Sequence, residues 1–421
     1  MFLTKLYYLL PAFLISGPFL SDLLVSLSSL YFLYYFFKID RAFLKTKLNY
    51  YFLFFFLFLI TLSFFSIDNF TSFKSTLPYF RFLMFSLIIC YCLEKRILKL
   101  NIFFFIISII ISLIFIDTLY QFIFEKNLLG QTSPLVYRVT SFFGDEAVLG
   151  SYIIKLYILF CFLDHLIKYK YKLYLFFIIT VMSLSIITMS GDRTPFYLLI
   201  IFFSIIFFFS SRKKQYLTSI ILFLVVSIIF LSTSTILKNR LIYMTSEGFI
   251  DTLDKFEQHK IGDKIDYNFP KVNNFKYYIS QDHHSHYVAS KEIFFDNFLF
   301  GSGPNTFRIE CKKEKYIENN DKGCSTHPHN FYFQLSSETG IIGLLSILSI
   351  FLISAYNIIS LFIKKNDFDF GKLIAFTYLF IILFPLSPNG NFFNNWLSIL
   401  NYFPLGFFIY YFRNFDYLKS K

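Results

Sequence analysis

The chain has 421 residues, 56% hydrophobic and 23% aromatic, with only 16% charged. That apolar share exceeds the roughly 45–50% of a soluble globular domain and points away from a soluble enzyme. The formal charge of +12 is scattered over loops between apolar runs, so it is not the concentrated basic face of a nucleic-acid-binding protein.

In chain order, apolar runs predict about twelve membrane spans near 6–20, 22–37, 50–67, 79–93, 102–124, 147–163, 173–190, 194–209, 216–234, 338–363, 372–388 and 395–412. Stretches such as YFLFFFLFLITLSFF carry no charge and no turn residue, and only lipid solvates so much continuous apolar surface. The first run lacks a small-residue cleavage site and continues through SGPFLSD into the second, so the N-terminus reads as a retained anchor.

Loop charge sets the expected orientation. The loops 38–48, 94–101, 164–172, 210–215, 364–372 and the tail from Arg413 carry 4, 3, 3, 3, 3 and 3 Lys/Arg. The alternate loops 68–78, 125–146, 190–194 and 389–394 carry 1, 2, 1 and 0. Basic loops stay in the cytoplasm, so both termini are expected there. The long polar segment after the ninth span lies on the other side. The expected class is an all-α integral membrane protein in three parts: 1–234 with nine spans, 235–337 as an outer loop domain, and 338–421 with three spans and a cytoplasmic tail.

That loop domain holds six of the seven histidines: His259, His283, His284, His286, His327 and His329. It also holds Cys311 and Cys324. In a periplasmic loop a disulfide between them would persist. The alternative is a metal site with the nearby histidines, which needs at least three placed ligands, and no CxxC or HExxH spacing appears. Cys90, Cys92 and Cys161 fall in spans as packing residues. Lys155 and Asp117 are the clearest interior charges, too few for the proton relay of a transporter, and no corresponding pair of broken spans appears in the two halves.

The stretch HPHNFYFQLSSETGIIG (327–343) runs from the loop domain into the tenth span. His329-Asn330, nine residues, then Gly340-x-x-Gly343 resembles the mark of the O-antigen ligase and polymerase superfamily. FGSGPNTF (300–307) resembles its Gly-x-Gly-Pro turn, and SGDRTPF (190–196) its short outer loop with an arginine. RVTSFFGDEAVLGSYI (138–153) and PNGNFFNNW (388–396) resemble two more of its outer segments. The chain departs from the family where an arginine often precedes the helix leading to the Gly-x-Gly turn: here stands DHHSHY (282–287).

The resemblance implies a metal-independent glycosyltransferase with no cofactor. It would take a glycan from an undecaprenyl-diphosphate carrier at the periplasmic face of a bacterial inner membrane and pass it to another glycan or to lipid A core. His329, Arg193 and Glu338 are the expected catalytic residues, and Arg193, Arg138 and Arg308 or Arg240 the diphosphate ligands. The chemistry suits these residue types. An arginine fork meets a leaving diphosphate, and histidine is poised to accept a hydroxyl proton. Asn330 or Glu338 is expected to orient the His329 ring. Gly340 and Gly343 are expected on one helix face, admitting a neighbouring helix. His327 shapes the turn with Pro328, and His283, His284 and His286 read as solvated or structural. The plain alternatives are that His329 caps a helix and Arg193 snorkels to the interface. A transporter of polysaccharide or lipid-linked oligosaccharide, or an assembly factor without chemistry, are the rival functions.

Overall fold

The computed structural model describes residues 2–133, 138–209, 212–243, 281–317, 323–363 and 369–415. Among them the chain is all-helical, apart from an isolated bridge between Lys126 and Thr132. In chain order the main helices are α1 (Leu6–Ile15), α2 (Pro18–Lys38), α3 (Lys47–Phe64), α4 (Asn69–Thr76), α5 (Phe80–Glu94), α6 (Leu100–Phe124) and α7 (Leu149–Leu166). They continue with α8 (Lys172–Met189), α9 (Arg193–Phe209), α10 (Lys213–Thr233), α11 (Gln281–Asp296), α12 (Phe331–Ile363), α13 (Phe370–Ile382) and α14 (Asn395–Arg413).

Among the described residues eight segments are long and apolar enough to cross a membrane: α2, α3, α4 with α5, α6, α7, α8, α10 and α12. Helices α1, α9 and α13 are apolar but shorter, and α14 contains Pro404. The chain is a multi-pass membrane protein. Helices α5 and α7 are mostly buried and form the centre, whereas α3, α10 and α12 turn most of their surface outward. Aromatic side chains cement the centre: Phe103 packs on Phe407 of α14 at 4.9 Å, and Phe162 of α7 on Phe408 at 4.8 Å.

Polar pairings between loops fall into two separate sets. One joins the basic loops. Asp164 takes Lys172 and Arg212, each at 3.7 Å, Glu94 takes Arg413 at 2.7 Å, and Asp369 accepts from Tyr411 at 2.8 Å. The other joins the loops predicted outside. Ile67 N–H donates to Ser302 O at 3.0 Å, Arg240 to Gly191 O at 2.7 Å, and Asn391 to Asn305 at 3.0 Å. The two sets stay apart, as expected of helices that run alternately up and down.

Several boundaries differ from the sequence expectation. The loop 68–78 contains α4, whose start Asp68 caps by accepting from Thr71 N–H at 3.0 Å. Helix α12 begins at Phe331 rather than 338, because its polar first turns find partners inside the protein. Helix α13 stops at Ile382, short of Pro385 and Pro388, which cannot continue it. His259 lies outside the described residues.

Candidate functional site

The predicted outer loops assemble two polar clusters. The first is built on Asp192, in the short turn between α8 and α9. Gly150, in the first turn of α7, donates its N–H to Asp192 Oδ2 at 3.1 Å. A Cβ at Gly150 would come within 2.9 Å of that oxygen, so the missing side chain lets the carboxylate reach the free helix start. Arg138 Nη1 lies 3.5 Å from Asp192 Oδ1, and Arg240 Nε donates to the neighbouring Gly191 O. Arg193 opens α9 and makes no hydrogen bond or ion pair among the described residues. The three guanidiniums are close enough to repel one another. Burial first, then Arg138 and Arg193, push Arg240 down to about 10. Burial pushes Asp192 up to about 6, opposed by Arg138, the Gly150 N–H and Arg240. One carboxylate among three arginines leaves excess positive charge, which an anion would neutralise.

The second cluster is built on the Gly-x-Gly-Pro turn. Glu338, fully buried on α12, accepts from Asn305 N–H at 2.9 Å and Gln334 at 3.1 Å through Oε2, and from Phe307 N–H at 3.0 Å through Oε1. The neighbouring backbone joins in: Ser302 N–H bonds Ser337 O and Gly303 N–H bonds Glu338 O, each at 2.9 Å. Asn305 Oδ1 then receives Arg308 at 3.1 Å and Asn391 at 3.0 Å. Gln334 also reaches Asn391 at 2.9 Å.

His329 stands beside this turn with φ of 57°, and its carbonyl accepts from Asn389 N–H at 2.8 Å. Its ring is surrounded by other imidazoles: His327 at 4.1 Å, His283 at 5.0 Å and His286 at 5.5 Å between centroids. Burial, then His283 and His286, lower His329 to about 4. Burial, then His329 and Arg308, lower His327 to about 3. His327 and His329 are therefore neutral near pH 7. His327 Nδ1 lies 2.9 Å from Thr326 Oγ1, while His327 Nε2 and Arg308 Nε are buried atoms without a hydrogen-bond partner.

These clusters coincide with what comparison finds. Residues 175–348 match the family model described as O-antigen ligase. This match, over part of the chain, supports its resemblance to the O-antigen ligase-like superfamily. No curated protein matches it. The match supports a glycosyltransferase-like function in polysaccharide biosynthesis, with lipid-linked glycans as the substrate class. Within the O-antigen ligase match lie Arg193, Arg240, Arg308, His329 and Glu338. Arg138 and Asn391 lie outside it but reach the same clusters.

Several sequence expectations are redirected by the geometry. Neither Asn330 nor Glu338 bonds the His329 ring. Asn330 caps α12, accepting from Tyr332 N–H at 2.9 Å, and ties it to Pro385 O at 2.8 Å. Both Glu338 oxygens serve the Gly-x-Gly-Pro turn. Gly340 and Gly343 do not share a helical packing face. Gly340 breaks α12 with φ of 68°, and a Cβ there would fall 2.3 Å from Leu299 O. Gly343 instead leaves room for the Thr339 side chain of its own helix. Of the histidines read as solvated or structural, His284 and His286 are buried and His283 is half-buried, and the rings of His283 and His286 lie beside that of His329. Cys311 and Cys324 are joined by a disulfide, with Cα atoms 5.1 Å apart. Among the described residues no group of His, Cys, Asp or Glu is arranged to hold a metal ion.

Sequence reasoning missed Asp192 as a hub, and also Asn305, Gln334 and Asn391. A faint signal existed for Gln334, which precedes Glu338 by one helical turn. The i, i+3 spacing of His283 and His286 likewise puts both on one helix face.

Proposed function

We propose that this protein transfers a glycan from an undecaprenyl-diphosphate carrier to a sugar hydroxyl at the periplasmic face of a bacterial inner membrane. In this reading about twelve helices span the bilayer, the termini are cytoplasmic and 235–337 forms the periplasmic domain. The basic loops favour that orientation. The acceptor is either lipid A core, as for a ligase, or a second carrier-linked glycan, as for a polymerase.

The observation that carries the proposal is the clustering of Arg138, Arg193 and Arg240 at the turn between α8 and α9, where Arg138 pairs with Asp192 and Arg240 with Gly191 O. A diphosphate is the anion that such excess charge and guanidinium geometry suit. In the proposed step the acceptor oxygen bonds to the anomeric carbon as the bond from that carbon to the diphosphate oxygen breaks. The arginines take up the negative charge growing on the leaving diphosphate. The acceptor proton passes to His329, whose ring is held neutral. Arg308 and His327, each with a buried nitrogen free to donate or accept, line the acceptor side. This mechanism is metal-independent and uses no cofactor. Glu338 acts by shaping the turn that carries Asn305 and Arg308, not by touching the sugar.

The test is transfer by purified, reconstituted protein from an undecaprenyl-diphosphate-linked glycan to lipid A core or to a carrier-linked glycan. Product should form with wild type and collapse when Arg193 is replaced by Ala. Undiminished transfer by that variant would remove the diphosphate role.

A further inference from the structure

The loop domain carries an apolar tip that has no place in water. Between the end of α11 and Gly301, Phe295, Phe298, Leu299 and Phe300 are 62%, 45%, 57% and 55% exposed. The remainder of α11 is polar and rich in histidine, so apolar exposure is concentrated at this end. The charge within the tip, Asp296, is neutralised by Lys315 at 2.7 Å and capped by Tyr316 at 2.6 Å.

Two contacts fix its depth. Ile67 N–H bonds Ser302 O at 3.0 Å, so Ser302 sits level with the outer end of α3, which finishes at Phe64. Going back along the chain from Ser302, the tip descends. Phe298 O accepts from Ile341 N–H at 2.8 Å, just past the break at Gly340. From Ile341 to Ile363 the helix runs about 33 Å at about 1.5 Å per residue, enough by itself to cross the roughly 30 Å hydrocarbon layer. Ile341, and Phe298 with it, therefore stand at the edge of that layer. Ile342 and Leu345, 36% and 54% exposed, continue the same apolar surface down α12.

We propose that the 295–300 tip of the loop domain is embedded in the acyl chains of the adjacent leaflet, as a lipid-facing wedge. Its occupant is bilayer lipid, because the patch is continuous with the lipid-facing surface of α12 and lies at its depth. Burial of these side chains in lipid is favourable at about 25 cal/mol per Å². The wedge would hold the Gly301–Gly303 turn, and with it Asn305, at a constant height above the membrane.

The experiment uses the full chain in phosphatidylglycerol/phosphatidylethanolamine nanodiscs. A spin label is placed at Phe298→Cys, at Phe295→Cys, at Leu345→Cys as the lipid reference and at Asp145→Cys as the aqueous reference. The native free cysteines are buried, and the unlabelled-site background is subtracted from the parent. Labels at 295 and 298 should show the oxygen-rich, nickel-chelate-poor collision pattern of 345. A pattern matching 145 would place the tip in water and overturn the proposal. Low accessibility to both reagents would mean that protein covers it, and would overturn the proposal equally. If one variant fails to fold, the other gives the same reading.

Discussion

Glu338 and Asn305 are joined by a 2.9 Å hydrogen bond from a backbone N–H to a fully buried carboxylate. Phe307 N–H meets the other oxygen of the same carboxylate. A residue of the membrane helix thereby dictates the shape of a turn in the loop domain. Removing it should be a structural injury. Glu338→Ala leaves the Asn305 and Phe307 backbone N–H groups without their acceptor, at a cost of roughly 3 kcal/mol. Lower thermal stability in detergent should accompany any loss of transfer, and Glu338→Gln should recover part of both. A Glu338→Ala protein of wild-type stability but without activity would make Glu338 a catalytic group instead.

Gly340 should tolerate no side chain. Its φ of 68° disfavours L residues, and the Leu299 carbonyl occupies the space a Cβ needs. Gly340→Ala should abolish accumulation of folded protein. Gly343→Ala displaces only the Thr339 side chain, which bonds Leu335 O at 2.6 Å, so its effect on yield should be smaller. Equal yields for the two variants would contradict the assigned break in α12.

Arg193 and Arg240 should differ in how they fail. Arg193 makes no hydrogen bond or ion pair among the described residues, so Arg193→Ala should leave folding intact while transfer falls. Arg193→Lys keeps the charge but loses the planar fork, and a drop of roughly tenfold or more is expected. Arg240 also ties its segment to Gly191, so Arg240→Ala should lower both stability and transfer. Comparing melting temperature with rate for each variant separates the two patterns.

The pH dependence follows from the histidine cluster. His329 in the folded protein is lowered from the usual 6.5 to about 4, first by burial and then by His283 and His286. His327 and Arg308 also face this pocket, from the same loop and from the turn beneath it. The acid limb of transfer assigned to His329 should therefore lie near pH 4, not 6.5. The same shift means that the unfolded chain binds the proton first as pH drops. The contribution to stability is complete above about 6.5 and is lost as pH falls toward 4. Replacing His283 and His286 with Gln removes two neighbouring imidazoles and should move the limb upward. An acid limb already complete at pH 6 in wild type would contradict a neutral His329.

How much of this was legible depended on whether the relevant partner was near in sequence. The His329-Asn330 and Gly-x-Gly-Pro motifs stand out because small polar clusters are conspicuous among lipid-soluble spans. The start of α12 was misplaced because Gln334, Ser336, Ser337 and Glu338 depress the hydropathy there. Their polar groups are in fact satisfied inside the fold, Gln334 by Asn391 and Ser337 by Phe333 O at 2.9 Å. Glu338 was assigned to His329 because the two are neighbours in the chain. Its true partners, Asn305 and Phe307, belong to a distant segment that only the fold brings near. Asp192 drew no functional role from the sequence because nothing local reveals its bond to Gly150.

The central claim rests on His329 receiving the acceptor proton. Its most direct measurement is single-turnover transfer by reconstituted His329→Ala protein, with undecaprenyl-diphosphate-linked glycan as donor, at matched folded concentration. The variant should insert and melt as wild type does. Its rate should fall by about 10²-fold or more, in the range of lost general-base assistance, while His327→Ala is affected less. Transfer by His329→Ala within a few-fold of wild type would contradict the account and leave the motif as the start of a membrane helix.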